Sequence, residues 1–149
     1  MTKSNEDLVA MRSELENDPT AIGLTTNPAH DAANADRINE IRDTIAIERD
    51  DVPADDVRSK ITRDDWAAIT PEDRSWLDFE LVGGQVDTTP GTPIRAGLTD
   101  IFQGKPSLGN LQTLLTRDGR RWEEMVQDGL LKGQGDWTPS DIAAARVAT

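Results

Sequence analysis

Residues 70–82 read Thr-Pro-Glu-Asp-Arg-Ser-Trp-Leu-Asp-Phe-Glu-Leu-Val, and Gly83-Gly84 follows them. Thr70 can cap a helix, Pro71 suits the first helical position, and the acids after it favour the positive end of the helix dipole. Gly83 can adopt the left-handed conformation that ends many helices. The apolar side chains of the stretch cover more than half of the helix circumference, which is more than a surface helix needs. They are Trp76, Leu77, Phe79, Leu81 and Val82. The stretch therefore predicts a central helix against which the rest of the chain packs.

Helix starts of the same kind recur along the chain. Thr92-Pro93 and Thr138-Pro139 repeat the cap-plus-proline pattern, and Asn27-Pro28 is a variant of it. Their spacing is irregular, so it does not indicate an internal repeat. Apolar residues at helical spacing follow these starts. The sequence therefore predicts an all-α fold: a single domain of roughly six to eight short helices, open or elongated, packed around Trp76, Leu77 and Phe79.

One segment leaves its secondary structure open. Ile41, Ile45 and Ile47 fit neither the helical nor the strand period well, so Thr44–Ile47 is an alternative short strand that would give one minor strand pair. At the level of domains we expect residues 1–149 to form one helical domain. Within it, residues 1–26 are predicted to form an N-terminal arm of helix and loop, and residues 27–149 the helical body.

Composition argues against several classes of function. The chain has 149 residues, 36% hydrophobic content and a formal net charge of −12. The deficit of Lys and Arg disfavours binding to nucleic acid and to anionic membranes. Cysteine is absent from the sequence, which excludes disulfides, a zinc ribbon and a thiol nucleophile. No apolar run is long enough to cross a bilayer, and the first residues lack the apolar core of a signal peptide. We therefore expect a soluble protein made in cytoplasm.

Candidate catalytic groups are few. His30 is the only histidine, and no serine or acid is spaced to form a relay with it, so a surface or first-turn histidine is the better interpretation. The Asp-rich stretch of residues 50–56 contains Pro53 and no glycine, unlike a calcium-binding loop. Gly83-Gly84 and the Gly-Gln-Gly of residues 133–135 do not match phosphate-binding loops. We expect no enzymatic activity, no cofactor and no metal site.

One basic cluster contains Arg117, Arg120 and Arg121, and it lies beside Trp122. Its arginines can contact phosphate or stack on the aromatic ring. Pairing with the two glutamates that follow Trp122 is the favoured alternative, because the chain is rich in acids.

Trp137 is the aromatic residue whose position best suits an interface. It lies between a Gly-rich turn and the capping Thr138, and Trp is enriched as an anchor in protein interfaces. Packing of its ring on the last helix is the favoured alternative. The candidate interface residues are therefore Trp137, Arg120 and Arg121.

Two stretches, one toward each end of the chain, carry a family resemblance. In the first, Ser13–Pro19 followed by Ile22-Gly23-Leu24, a helix meets an Asp-Pro stop and then a glycine with a bulky neighbour. In the second, Arg121–Glu124 and Thr138–Arg146, an Arg and a Glu near a Gly-rich turn precede a Thr-capped helix that ends in Ala-Arg. Together they resemble a family of small uncharacterised tailed-bacteriophage proteins. The resemblance extends weakly to residues 52–102.

The resemblance implies a structural or accessory protein of the virion, encoded among head, neck or tail genes, helical throughout and without catalysis. We expect it to act by protein–protein assembly in the neck, tail or capsid surface, after synthesis in the host cytoplasm. Its expected partners are portal, tail or capsid proteins and further copies of itself, as a homo-oligomer. The alternative is a small acidic cytoplasmic adaptor or inhibitor that mimics nucleic acid. That function needs acids along one exposed face, whereas the sequence spreads them over most helix starts.

Overall fold

The computed structural model of the chain describes residues 2–149 and is mostly helical. The described residues contain nine α-helices, one short 3-10 helix and four short strands. The α-helices are α1 (Asn5–Asn17), α2 (Asp31–Asn39), α3 (Ala54–Lys60), α4 (Arg63–Ala68), α5 (Pro71–Glu80), α6 (Pro93–Phe102), α7 (Pro106–Leu115), α8 (Arg121–Gln127) and α9 (Pro139–Arg146). The strands are β1 (Arg42–Glu48), β2 (Val52–Pro53), β3 (Gln85–Val86) and β4 (Thr116–Gly119). The predicted helical fold class is confirmed, with one helix more than the expected range.

The chain divides into two compact units. Unit 1 joins the described residues up to Ile47 with Asp118–Thr149, and unit 2 is the continuous segment Glu48–Arg117. The strands that contain the two boundaries, β1 and β4, pair as a two-stranded sheet. The boundary predicted between residues 26 and 27 falls inside unit 1. The division of one domain into an arm and a body stays a prediction.

Unit 1 is built from helices of both its segments. Helix α9 packs against α1 and α2, and α2 also contacts α8. Helix α1 begins because the Ser4 hydroxyl accepts a hydrogen bond from the amide of Asp7, and it ends at Asp18, which adopts a left-handed φ of 40°. Met11 and Leu15, one turn apart on α1, are buried in one core with Ile38 of α2. Met125 of α8 and Ile142 of α9 belong to the same core. Apolar side chains from both segments therefore share one core.

Unit 2 has its own apolar core. Helix α7 contacts α3 and α6, and β2 pairs antiparallel with β3 so that Val52 lies opposite Val86. The Thr92 hydroxyl caps α6 by accepting a hydrogen bond from the amide of Arg95. The most deeply buried side chains of this core are Val52, Val57, Leu77, Leu98, Phe102 and Leu111. The three Thr-Pro starts predicted from the sequence each begin a helix, namely α5, α6 and α9.

The isoleucine-rich segment forms a strand, which was the open alternative. In β1 the side chains of Ile45 and Ile47 are buried, whereas those of Thr44 before Ile45 and of Ala46 between the two isoleucines are exposed. This alternation is what a strand with one buried face requires. A second strand pair, β2 with β3, was not predicted because each strand has only two residues.

Helix α5 is a part of the unit 2 core and not the centre of the whole chain, so the prediction of a central helix is wrong. Leu77 and Leu81, four residues apart, face the core and are 0% and 3% exposed. Phe79 is 76% exposed and Val82 is 81% exposed. Phe79 lies about 200° around the helix from Leu77, so both cannot face one core. Trp76 is half-buried and packs against the same core as Leu77.

The end of α5 also differs from its prediction. The helix stops at Glu80, and Gly83 does not adopt a positive φ. The amides of Leu81 and Val82 donate to the carbonyls of Leu77 and Phe79, which completes the last turn. A left-handed glycine is therefore not needed at this end.

Candidate interaction surfaces

Trp137 lies in the core of unit 1. Its side chain is 2% exposed, and its backbone amide and carbonyl are both bonded to the side-chain amide of Asn39, at 2.8 Å and 2.7 Å. The ammonium group of Lys3 lies 4.9 Å from the centre of its ring. The structure thus places Trp137 where the packing alternative predicted it. The buried ring leaves no surface for a partner, which corrects its interpretation as an interface residue.

Arg121 is also buried and makes a bidentate ion pair with Glu14 of α1. Its Nε and Nη2 donate to the two carboxylate oxygens of Glu14 at 2.5 Å and 3.0 Å, and Nη1 donates to Glu124. The side chains of Arg121 and Glu14 are 5% and 4% exposed. Burial lowers the pKa of Arg121, but hydrogen bonds and charges of Glu14 and Glu124 outweigh it and hold the pKa above its ordinary value. Arg121 is therefore a charged group fixed inside unit 1.

Arg120 is the predicted interface residue that remains at the surface. Its backbone amide and its guanidinium both donate to the carboxylate of Glu123, at 3.1 Å and 3.3 Å, and Asp136 lies within ion-pair distance. The expected pairing of Arg120 and Arg121 with the glutamates after Trp122 is confirmed. Glu14 could not be identified from the sequence, because it lies 107 residues away from Arg121.

The catalytic candidates considered from the sequence lie at the surface. His30 is exposed, and its Nδ1 is 2.9 Å from the hydroxyl of Thr25, which agrees with its interpretation as a surface histidine. Among residues 2–149, no three His, Cys, Asp or Glu side chains are grouped so that they could hold a metal ion. Over the same residues, no helix has the length and apolar character needed to cross a membrane.

Unit 2 carries an open groove with a volume of about 310 Å³. It is formed where α3 ends, α4 begins and α5 ends. Its lining residues, which define the unit 2 groove, are Arg58, Ile61, Thr62, Arg63, Trp66 and Leu81. Ile61, Trp66 and Leu81 make its surface mainly apolar, and two arginines stand beside them. The groove therefore combines an apolar floor with positive charge.

Buried hydrogen bonds hold the turn that forms this groove. The amide of Thr62 donates to the Ser107 hydroxyl at 2.9 Å, and the amide of Ser107 donates to a carboxylate oxygen of Asp65 at 2.8 Å. Hydrogen bonds from the hydroxyl and the amide of Ser107 are the main cause that holds the pKa of Asp65 below its ordinary value. The Thr62 hydroxyl caps α4 by accepting a hydrogen bond from the amide of Asp65. The amide of Thr62 donates to Ser107 and not to Asp65, so the two residues do not form a reciprocal capping box. The groove is thereby built on a fixed backbone.

The exposed apolar end of α5 lies beside the unit 2 groove. Arg58, which lines the groove, donates to the carboxylate of Asp78 at 3.1 Å and to the carbonyl of Leu81 at 3.3 Å. Phe79 lies between Asp78 and Glu80, and Val82 follows shortly after. In the part of the chain that the structure describes, the charged groups of Arg63 and Glu80 make no hydrogen bond or ion pair. The end of α5 therefore presents apolar surface with the uncompensated negative charge of Glu80, and the groove beside it has the uncompensated positive charge of Arg63 of α4.

Unit 1 has a larger groove, with a volume of about 570 Å³, between α1 and α8. Val9 and Leu130 at its edge are partly exposed, at 39% and 53%. Its charged lining residues, Glu14 and Arg121, are already paired with each other. This groove, unlike that of unit 2, has no charged side chain left to select a partner.

Comparison of the chain with protein-family models, with curated proteins and with solved structures finds no match. The surfaces and residues of this chain are therefore the basis for its function.

Proposed function

We propose that the chain is a structural component of a tailed-phage virion, located in the neck, the tail or the capsid surface, and that it acts by binding other proteins. The observation that carries the protein-binding part is the exposure of Phe79 and Val82 at the end of α5, where Leu81 lines the unit 2 groove. Large apolar side chains exposed together commonly mark a site of protein association. Binding to a neighbour would remove both side chains from water, which is favourable in proportion to the area buried.

The virion part of the proposal rests on the two stretches that resemble the phage family, and both stretches lie in unit 1. Glu14 belongs to the first stretch and Arg121 to the second, and the two form the buried ion pair of unit 1. Asp18 of the first stretch ends α1, and its carboxylate accepts hydrogen bonds from the amides of Ile22 and Gly23 at 3.0 Å and 2.9 Å. The resembling residues thus have structural roles in one compact unit.

Several carboxyl groups are held in hydrogen bonds that stabilise the fold. The pKa of Asp31 is held below its ordinary value chiefly by the hydrogen bond from Arg146, and that of Asp87 by hydrogen bonds from Thr89. The pKa of Asp65 is lowered in the same way by Ser107. These carboxyl groups are suited to holding the backbone in place.

The experiment that tests the proposal is quantitative mass spectrometry of purified phage particles, with light scattering of the purified protein beside it. The protein is expected in the particle at a fixed copy number, and the symmetry of that number would separate a neck ring from a capsid decoration. Its absence from particles, together with a monomer in solution, would overturn the proposal and favour the cytoplasmic adaptor.

A pair of variants connects this experiment to the proposed surface. Replacement of both exposed side chains, Phe79→Ser with Val82→Ser, is expected to lower the copy number per particle. Ile41→Ser is the matched control, because Ile41 is also an exposed apolar residue, at 57%, but lies in unit 1. Equal incorporation of both variants would contradict a role of the α5 surface.

A further inference from the structure

We propose that the unit 2 groove receives Phe79 of a second copy of this chain, with Glu80 of that copy bound to Arg63. The inference rests on the proposed function and specifies a contact through which copies would associate. Three properties of unit 2 support this contact: the apolar surfaces, the opposite charges, and the short distance along the structure between the groove and the end of α5.

The apolar surfaces of the two features complement each other. The groove offers Ile61, Trp66 and Leu81, of which the first two are half-buried and retain surface for a ligand. Phe79 is the exposed aromatic side chain beside it. A volume of about 310 Å³ lies in the range of pockets that hold small organic groups, and aromatic side chains contribute most to buried interface area. An aromatic ring is therefore a suitable occupant.

The charges beside these surfaces are opposite. Arg63 stands at the groove and Glu80 stands beside Phe79, and within residues 2–149 neither charged group has a partner. In a chain with a net charge of −12, Arg63 gives the apolar groove an uncompensated positive charge, whereas Arg58 is paired with Asp78. Two such acidic chains repel each other at long range, so a specific contact needs this local complement. Arg63 with Glu80 supplies it.

Arg58 and Asp78 do not oppose the contact. They form an ion pair in which both side chains are largely exposed, at 42% and 59%. Exposed pairs contribute little to stability, so the pair can open or exchange partners between copies at small cost.

Arg58 connects the groove to the segment that carries Phe79. Arg58 lines the groove and is hydrogen-bonded to both Asp78 and Leu81 at the end of α5. A two-fold interface requires that one surface be complementary to itself. If two copies meet through the unit 2 groove and the end of α5, each Phe79 enters the groove of the other copy, and two Arg63–Glu80 pairs form. A dimer is thus the simplest assembly that fills both grooves.

The test is sedimentation equilibrium of the full chain over a concentration series, with far-UV circular dichroism as the check of folding. The wild-type chain is expected to dimerise, and Phe79→Ser to raise the dimer dissociation constant by about tenfold or more, as expected for a buried aromatic anchor. Arg74→Glu is the control for charge reversal, because Arg74 also lies on unit 2 but does not line the groove. A wild-type chain that stays monomeric, or a dimer unaffected by Phe79→Ser, would overturn the inference.

A charge exchange tests the proposed ion pair separately. Arg63→Glu and Glu80→Arg are each expected to weaken the dimer by about tenfold, since each places like charges opposite one another. The double variant with both substitutions restores opposite charges and is expected to return the dissociation constant to within about threefold of the wild type. A double variant weaker than either single variant would contradict the Arg63–Glu80 contact.

The outcome is independent of the virion experiment. A dimer that responds to Phe79→Ser, found in a protein that is absent from particles, would support the contact and reject the virion function. A protein present in particles at a fixed copy number, whose association ignores Phe79→Ser, would support the function and reject the contact.

Discussion

Units 1 and 2 both consist mainly of helices, but they differ in the side-chain hydrogen bonds and ion pairs that stabilise them. In unit 1, side-chain bonds join residues far apart in sequence: Arg121 to Glu14 across 107 residues, Arg146 to Asp31 across 115, and Asn39 to Trp137 across 98. In unit 2 the buried polar link from Asp65 to Ser107 spans 42 residues, and the core forms between helices of one continuous segment.

The difference shows what a unit made from two segments needs. Apolar burial is non-directional, so it brings two segments together without fixing how one lies against the other. Bidentate and charge-assisted hydrogen bonds have strict geometry and can fix that arrangement. Unit 1 uses such bonds between its segments, whereas connected neighbouring helices already restrict the packing of unit 2.

The largest expected effect is the removal of the buried ion pair in unit 1. Arg121→Met leaves the carboxylate of Glu14 buried without its partner, which should reduce the free energy of unfolding by about 3–5 kcal/mol. Urea unfolding measures the loss, and peptide-resolved hydrogen exchange should place it in unit 1. Glu16→Gln is the control, because Glu16 pairs with Arg12 on the exposed face of the same α1 and the variant should lose less than about 1 kcal/mol. Equal losses from the two variants would contradict the role assigned to the buried pair.

A methyl group at Gly97 should destabilise unit 2 in turn. In α6, a Cβ atom at Gly97 would overlap the ring of Trp76 on α5. Gly97→Ala is therefore expected to cost about 1–3 kcal/mol through overpacking, with increased hydrogen exchange confined to unit 2. Gly109→Ala in α7 is the matched control, because no atom lies within 4 Å of its Cβ position, and it should be neutral or stabilising by less than about 1 kcal/mol. A neutral Gly97→Ala would show that Trp76 can move aside.

Acid should weaken unit 1 through Asp7. Its burial raises the pKa, but hydrogen bonds from the amides of Lys132 and Gly133 and the charge of Lys3 outweigh burial, so the folded-state pKa lies below the ordinary value of 3.8. The folded state then binds fewer protons than the unfolded state, and the stability present above pH 3.8 is lost as the pH falls through the folded-state pKa.

Asp7→Asn separates this contribution from that of other acids. The variant should cost about 1.5 kcal/mol at neutral pH, since a charged acceptor is lost. It should also show a smaller decrease of the urea midpoint than the wild type between about pH 5 and pH 2. An unchanged dependence on pH would mean that Asp7 does not contribute to acid unfolding.

The smallest expected effect compares one cap from each unit. Thr138 and Asp141 form a reciprocal capping box at α9, whereas Thr70 at α5 makes only the bond from the amide of Asp73. Thr138→Ala should cost about 1 kcal/mol, and Thr70→Ala a few tenths less. Thermal unfolding of the two variants measures the difference, and a larger loss from Thr70→Ala would reverse the expected order.

Local features of the fold were predictable because their causes are local. Thr70, Thr92 and Thr138 each accept a hydrogen bond from the amide three residues later, and those residues are adjacent in the sequence. The stop at Asp18-Pro19 was predictable for the same reason.

The exposure of Phe79 on α5 and the burial of Arg121 were not predictable, since both depend on residues distant in the sequence. The apolar arc of α5 is broader than its contact with the core, and only the positions of the other helices decide that Phe79 faces outward. The same limit applies to Arg121, whose burial depends on Glu14 at the other end of unit 1. An arginine beside two glutamates looks like a surface residue in any sequence.

The division of unit 1 into two segments has a consequence for the nascent chain. Residues 48–117 are all synthesised before residues 118–149, so unit 2 can fold while α1 and α2 still lack α9, against which both pack. The amide of Arg49 and the carbonyl of Leu115, at the two ends of unit 2, are 3.0 Å apart, so the folded segment brings its ends together. At about 5–20 residues per second, the apolar face of α1 stays uncovered for several seconds on the ribosome. It is during this interval that the chain is most exposed to chaperones and to aggregation.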